Sequence, residues 1–486
     1  MRDVDFLKTA KSKYRRYAQH VLGFRHFPEG RDGLTPVQRR SLWALYQLGA
    51  TDRSKKVATS RAVGECTGRY HPHEDETVVS TMTKISQAET LAPTILGVGN
   101  WGTWEDPHAA KRYTKCYLSP YALRFFDADE LSQVPMDPTY DGSDKEPRFL
   151  PAPVPHLLMH GTRGLAPGAS ANVPPCEPAW VIDSLAAVIE GKKVRPPKQF
   201  ALRYGGVLRD LESSWLKTGK GAASFRPVIR VDEGRRAVVL NSLAPRVDPY
   251  ALDEKLSAFP FYGGLSSEPS PDNEINILLL CKRGHDLAEL KAAVLKLVKG
   301  SRESFSFLYI EQIDAGGEVG YNPMHSNPVA FLKWWTDWRR GVVSSAATRR
   351  IEGLQLAISR HELMIRVIGK RSELLKILDK GKSREDIRDR TALLLKCSKE
   401  EADFVLGSNL YRLASLEVSS LREKIADAKA LVENNKKIAK SPDARLLEDA
   451  SAAQTSLSET LAIVADIRRG ELSKKRKKGR ARRARG

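Results

Sequence analysis

The hydrophobic pattern changes character along the chain. From Phe331 onward apolar residues recur at helical spacing. Ile351, Leu354, Ile358, Ile365 and Ile368 form one stripe, interrupted by His361, and Val418, Leu421, Ile425, Ala428 and Val432 form another. Residues three and four apart share one face of an α-helix, so each stripe is a buried seam. Two long seams separated by shorter segments predict an antiparallel coiled-coil hairpin with a small helical tip, although the periodicity alone fits an ordinary helix bundle equally well. Ser383-x-x-Asp386 and Ser398-x-x-Glu401 read as capped starts of the tip helices, with a hydroxyl and an acid placed to meet the first free amides. Residues 141–330 behave differently. Residues 228–231, 237–240 and 275–280 are β-rich, and turn signals at Tyr204-Gly-Gly and Gly263-Gly264 separate such runs, which predicts an α/β region. The first 140 residues mix helical stretches with Gly- and Pro-marked turns.

These patterns exclude several classes. There is no short-period repeat, so the chain is not a solenoid. No run reaches the roughly 18 apolar residues of a membrane-spanning helix. Residues 1–16 are polar and basic with no apolar stretch behind the charges, which predicts no secretion signal. The length of 486 residues allows two to four domains. Five dispersed cysteines (Cys66, Cys116, Cys176, Cys281, Cys397) show no CxxC pairing, which argues against a zinc site or disulfide scaffold and predicts an intracellular, reducing setting.

Charge adds a partner. The net charge of +20 points to a polyanion, bound through release of the counterions condensed on its phosphates. Residues 474–485 (KKRKKGRARRAR) carry nine of these charges and no acid, so about +11 belongs to the rest. This segment reads as a disordered basic tail with a non-specific attraction for DNA.

The chemistry concentrates in four short stretches: Arg25 to Leu34 (RHFPEGRDGL) with Pro36-Val-Gln-Arg39-Arg40, then Tyr70-His71-Pro72-His73, then Gly97-Val-Gly99-Asn100-Trp-Gly102, then Ala109-Ala-Lys-Arg112-Tyr113-Thr114. Each is weak alone. The glycines satisfy GxGxxG, but no apolar helix follows them, so a dinucleotide site is disfavoured. An HxH pair without a third ligand nearby is a poor metal site. Paired arginines commonly mark a solvated helix face.

In this order, however, the stretches resemble the A subunit of bacterial DNA gyrase and topoisomerase IV and the corresponding phage subunits. That family shares R-x-x-P-x-x-R-D-G-L-x-P-V-x-R-R, Y-H-P-H-G-D, G-x-G-N-[FW]-G and A-A-x-R-Y-T. The resemblance continues through Tyr140-Asp-Gly-Ser-Asp-Lys-Glu-Pro147, Val154-Pro-His-Leu-Leu-Met-His-Gly161, Gly164-Leu-Ala-Pro-Gly168 and Asn172-Val-Pro-Pro175, and reappears at Tyr411-Arg-Leu-Ala-Ser-Leu-Glu417. It implies a multidomain α+β chain. A helical arm (1–24) would lead into a winged-helix (CAP-like) DNA-gate domain (25–140) and an α/β tower domain (141–330). A long antiparallel coiled coil with a helical C-gate (331–455) would follow, ending in a helix end and a basic disordered tail (456–486). It implies an ATP-dependent type IIA topoisomerase subunit that cleaves and religates DNA, with Tyr113 as the nucleophile forming a 5′-phosphotyrosyl link. Arg112 and Arg25 would assist it, Arg39, Arg40, His71 and His73 would contact DNA, and Leu165 would wedge between base pairs.

The residue chemistry fits. A phenol ordinarily titrates near pH 10, so its hydroxyl needs activation, and an adjacent guanidinium favours the phenolate and holds phosphoryl oxygens. Asp127-Ala-Asp129 lacks the Gly-rich setting of a metal-binding TOPRIM cluster, and Thr218-Gly-Lys-Gly221 lacks the ends of a Walker loop. The resemblance therefore implies that Mg²⁺ and ATP are bound mainly by a partner TOPRIM/ATPase subunit, in a heterotetramer built on a dimer of this chain, DNA-associated in the cytoplasm. Three departures stand out. Glu74 and Glu76 replace a glycine and a serine, Ser80 falls where an acid is usual, and Thr35 falls where a lysine is usual. The first two predict a weak quinolone response. The Q-R-R-G-G-K-G box of DNA-wrapping domains is absent, which predicts relaxation or decatenation over active supercoiling. A non-catalytic winged-helix scaffold with a coiled-coil arm explains the charge and the stripes but leaves Arg112-Tyr113 without a purpose. Tyrosine recombinases place their tyrosine near the C-terminus.

Overall fold

The computed structural model describes residues 27–87, 91–102, 107–166, 169–200, 207–243, 248–267, 276–298, 301–314, 319–408 and 417–483, together with Lys13. Arg25 and most of the Tyr411–Glu417 motif lie outside them. The chain forms two compact units, residues 340–446 and the remainder.

From residue 27 onward the described part of the larger unit opens with three helices and a small sheet. Helix α1 (Pro36–Gln47) starts where its sequence dictates. Pro36 occupies the first turn, and Thr35 and Gln38 close a reciprocal capping box. Strand β1 (Val57–Ala58), helices α2 (Thr59–Arg69) and α3 (Asp75–Ser86), and strands β2 (Ile95–Val98) and β3 (Lys115–Leu118) follow, the strands pairing antiparallel in the order β1-β3-β2. Asp75 and Glu76 stand in the first turn of α3, where carboxylates complement the positive end of the helix dipole.

Beyond this, β4 (Met136–Pro138) and β5 (Lys145–Pro147) form a hairpin. Strands β6 (Thr162–Ala166) and β7 (Ala169–Val173), helix α4 (Pro178–Ile189), and strands β8 (Val207–Leu211) and β9 (Lys220–Arg226) lead into a separate sheet. That sheet comprises β10 (Ile229–Asp232), β11 (Ala237–Leu240), β12 (Tyr262–Ser267) and β13 (Ile277–Cys281), with α5 (Pro249–Ser257) and α6 (Leu287–Leu297) packed into its core. Strand β14 (Ser301–Ser306) returns to complete a five-stranded sheet, β6-β7-β14-β9-β8, before the hairpin of β15 (Leu308–Asp314) and β16 (Val319–His325). The run at 237–240 forms β11, whereas those at 228–231 and 275–280 are offset by a residue or two, as β10 and β13. Apolar composition does not fix a strand's ends.

Long helices finish the chain: α7 (Pro328–Gly369), α8 (Arg371–Lys380), α9 (Arg384–Leu395), α10 (Lys399–Leu406), α11 (Glu417–Lys440) and α12 (Asp443–Arg483). Within residues 340–446, α7 and α11 run antiparallel. Ser344 Oγ donates to the Ala439 carbonyl at 2.7 Å, Lys429 pairs with Glu362 at 3.2 Å, and Ile368 packs with Leu421. Leu421, Ile425, Ala428 and Val432 are buried, while Ile351, Leu354 and Ile358 are only half-buried. Ser383 and Ser398 cap α9 and α10 as their spacing predicts. The basic tail departs from expectation, because helical backbone continues to Arg483. Lys, Arg and Ala are good helix formers, and extending an existing helix avoids the cost of nucleation.

The main core draws on residues far apart in the chain. Leu42, Tyr121, Leu157, Phe225, Trp335, Ala450 and Leu457 belong to one buried cluster. Within the same unit Arg339 is 1% exposed and bonds both Glu130 oxygens, at 2.7 and 2.8 Å, and Asp449 at 3.2 Å. Among the described residues no helix is long and apolar enough to cross a membrane.

Candidate active site

The loop carrying Tyr113 is built from the glycine motif before it. At Gly97 a Cβ would come within 2.4 Å of the Trp101 ring, and Gly99, at φ +101°, lies against the Tyr113 carbonyl. Neither position accepts a side chain without displacing the loop. Asn100 then clasps the approach to the tyrosine. Its carbonyl accepts from Ala109 N–H at 3.0 Å, its side-chain amide donates to Pro107 O at 3.3 Å, and its Oδ1 accepts from Gly102 N–H at 2.9 Å. On the far side Thr114 is buried, its hydroxyl donating to Thr59 Oγ1 at 2.8 Å and its carbonyl accepting from Thr59 N–H at 3.0 Å.

Between these anchors Tyr113 is 68% exposed. The Arg112 guanidinium lies 4.6 Å from the centre of its ring, a cation–π contact. The loop is also tied to α3: Lys111 pairs with Asp75, and His108 Nε2 lies 3.8 Å from Glu76 Oε1.

The basic pair in α1 has a different setting. Arg39 is 5% exposed, its Nε 2.5 Å from Asp32 Oδ2 and its Nη2 3.0 Å from Leu34 O. Asp32 also accepts from Leu34 and Leu150 amides at 2.9 Å. This arginine braces the Arg31-Asp32-Gly33-Leu34 turn, a setting that favours scaffolding over phosphate contact. Arg40 makes a bidentate pair with Glu146 at 2.7 and 2.6 Å, and its Nη1 approaches His71 Nδ1 at 3.3 Å. A guanidinium can only donate, so Nδ1 of His71 accepts and the proton of the neutral ring sits on Nε2. His73, edge-on to His71 with centroids 4.7 Å apart, has Nδ1 2.5 Å from Pro72 O. A carbonyl only accepts, so its neutral lone pair lies on Nε2.

Both histidines border a groove of about 1040 Å³ that also meets Glu74, Lys84, His160 and Arg163. Burial pushes the His160 imidazole down to about 4, and Gln38 Nε2 lies 3.1 Å from its Nε2, so this wall residue is neutral at pH 7. His156, stacked on it, is likewise pushed down by burial. Leu165 lies near the end of β6 and is 75% exposed.

The structure thus joins His71 and His73 at one groove, with Arg40 against His71, and Arg112 with Tyr113 on one loop, with the first residues of α3 touching both places. Tyr113 itself is not among the residues lining the groove. Glu146 belongs to a legible motif, but nothing in the sequence pairs it with Arg40, which lies 106 residues away. Asp75 stands at the acidic end of the Y-H-P-H-G-D motif and Lys111 at the open position of A-A-x-R-Y-T, but nothing in the sequence pairs the two. Asp127 caps the short helix Ala128–Leu131, accepting from the amides of Asp129 and Glu130. Among the described residues no group of three or more His, Cys, Asp or Glu is arranged to hold a metal ion.

Comparison with known proteins converges on one family. The family model for the A subunit of DNA gyrase/topoisomerase IV matches residues 25–449. The chain is 29% identical over 463 residues to a chloroplastic/mitochondrial DNA gyrase A subunit of Nicotiana benthamiana, covering 89% of this chain and 48% of that one. It is 28% identical over 455 residues to the DNA gyrase A subunit of Aminobacterium colombiense (89% and 54%). Against the DNA topoisomerase 4 A subunit of Bacillus subtilis the identity is 25% over 472 residues (90% and 57%). The chain therefore spans about half the length of the curated relatives it matches. With the tyrosine loop, the histidine groove and the family model in agreement over the same residues, the chain belongs to the DNA gyrase/topoisomerase IV A-subunit family.

Proposed function

We propose that this chain is the DNA-cleaving and religating subunit of a type IIA topoisomerase, with Tyr113 as its nucleophile. The observation that carries the reading is an exposed tyrosine on a loop clamped by Asn100 and Thr114, with the Arg112 guanidinium over its ring. In the reaction the Tyr113 oxygen forms a bond to phosphorus and the phosphorus–O3′ bond breaks. The departing oxygen takes up a proton to give a free 3′-hydroxyl. One diester replaces another, so the reverse step reseals the strand without an external energy source. Arg112 stabilises the phenolate and the charge on the phosphoryl oxygens.

His71 suits phosphate binding, because its Nε2 carries the proton in the neutral ring. His73 suits proton transfer, because its Nε2 carries the lone pair. Arg40 contributes by orienting His71, and Arg25 belongs with this group by its motif. Leu165, a large apolar side chain left in water at the end of a strand, suits a wedge that unstacks a base step at a cost of roughly a few kcal/mol.

In this reading residues 25–140 form the winged-helix gate, residues 141–330 the tower, and the antiparallel helices with α8–α10 the coiled coil and C-gate. Leu393 on α9, 83% exposed, supports a dimer contact there. Mg²⁺ and ATP are assigned to a partner TOPRIM/ATPase subunit, in a heterotetramer with two copies of each chain.

The test mixes the chain with such a partner, Mg²⁺, ATP and supercoiled plasmid, then denatures. Protein linked to 5′ DNA ends, lost in Tyr113→Phe, is the expected result. DNA binding without a covalent product would leave only a DNA-binding scaffold.

A further inference from the structure

The loop that carries Arg112 and Tyr113 makes two polar contacts that the proposed chemistry does not use. Lys111 Nζ bonds Asp75 Oδ2, and His108 Nε2 faces Glu76 Oε1 at 3.8 Å. Both acids lie in the first turn of α3, and Lys111 and His108 lie just before Tyr113. The Tyr113 N–H donates to Ala110 O at 2.9 Å, so a shift at Lys111 reaches the tyrosine through one tight turn. Glu74, immediately before these acids, borders the groove that His71 and His73 line. One turn of helix therefore touches the histidine groove through Glu74 and the tyrosine loop through Asp75 and Glu76. The Lys111 ammonium also holds the Asp75 carboxyl below the usual carboxylate range.

We propose that Asp75 and Glu76 are positioning residues that act through Lys111 and His108, holding the tyrosine loop on the first turn of α3 and fixing Tyr113 relative to the histidine groove. The inference rests on the reading of Tyr113 as nucleophile. The competing account makes Lys111 a direct phosphate ligand and Asp75 only an acid that complements the helix dipole. The side chains of Asp75 and Lys111 are 51% and 36% exposed. Exposed pairs are weak, so losing the latch changes a rate by about two- to five-fold.

The experiment uses the assembled complex with its TOPRIM/ATPase subunit, Mg²⁺ and duplex DNA. It measures single-turnover covalent cleavage across DNA concentrations for the unmodified chain, Asp75→Asn, Lys111→Met, the double variant and Asp75→Glu. A latch predicts that each of Asp75→Asn and Lys111→Met slows cleavage at saturating DNA by about two- to five-fold, with the half-saturating DNA concentration unchanged. It predicts that the double variant is no slower than the slower single variant, and that Asp75→Glu restores most of the rate.

Three results would overturn it. One is that Lys111→Met raises the half-saturating DNA concentration while Asp75→Asn lowers it, which makes Lys111 a phosphate ligand. Another is that the two losses multiply in the double variant. The third is a rate loss that tracks a lower melting temperature and is not rescued by Asp75→Glu, which assigns Asp75 to helix stability. If the unmodified chain forms no Tyr113-dependent covalent product, the nucleophile reading fails first, a result distinct from all three.

Discussion

Arg39 and Arg40 on α1 and Arg112 on the tyrosine loop are the same residue type in opposite circumstances. The first two are buried at 5% and 9% exposure, each against a carboxylate, Asp32 or Glu146. Arg112 is exposed and lies over an aromatic face. A desolvated guanidinium with a fixed carboxylate is committed to the scaffold, because removing either partner strands a charge in a poor solvent. An exposed one keeps N–H groups available for a phosphate. The charge of a chain therefore overstates the number of arginines available to DNA.

The largest expected effect falls on the buried side of this comparison. Asp32→Ala leaves Arg39 uncompensated and unpairs two amides, and should lower the unfolding free energy by about 3–5 kcal/mol, read from urea denaturation. A loss under about 1 kcal/mol, the range of exposed pairs, would mean that Arg39 finds solvent and the contrast is false. On the exposed side, Arg112→Ala should leave the urea midpoint nearly unchanged. It should slow covalent cleavage by about 10²–10³-fold, the usual consequence of removing one transition-state donor. Equal losses of stability and of cleavage would erase the distinction.

A smaller effect concerns the groove wall. The His160 imidazole is lowered to about 4 by burial, whereas in the unfolded chain it keeps its ordinary value near 6.5. The unfolded state then binds more protons between these values, so the stability His160 contributes is present above about pH 6.5 and is lost as pH falls towards 4. Between pH 7.5 and 5 the loss should be about 1–2 kcal/mol, and His160→Gln should flatten that part of the profile. An unchanged slope in the variant would show that the imidazole is solvated after all. The smallest stability effect belongs to Leu165→Ala, within about 0.5 kcal/mol as for an exposed position. It should nevertheless reduce the bend of bound DNA, measured by energy transfer between labelled duplex ends. An unaltered bend would remove Leu165 from the wedge role.

What the sequence disclosed, and what it withheld, follows the range of each interaction. The caps at Ser383 and Ser398 were legible because their partners lie three residues away. The tyrosine loop was legible because each residue of its glycine motif has a local duty: Gly97 yields to Trp101, Gly99 turns, and Asn100 clasps. The burial of Arg39 and Arg40 was not legible. Two adjacent arginines in a helix look like a solvated face until Asp32 and Glu146 are brought to them through space. The core that joins Leu42 to Trp335 and Leu457 was hidden for the same reason. Apolar periodicity reports that a face is buried but not which segment buries it. The basic composition of residues 474–485 reads as disorder, but composition does not record that the helix before it continues to Arg483.

The central claim is that Tyr113 becomes joined to DNA, and peptide mapping of the trapped complex tests it most directly. Covalent complex formed with the partner subunit would be digested with nuclease and protease and its nucleotide-bearing peptide sequenced by mass spectrometry. The account predicts a 5′-phosphonucleotide on the peptide containing Tyr113, with the cleaved DNA ending in a free 3′-hydroxyl. A nucleotide on any other residue, or a link through the 3′ end, would contradict it.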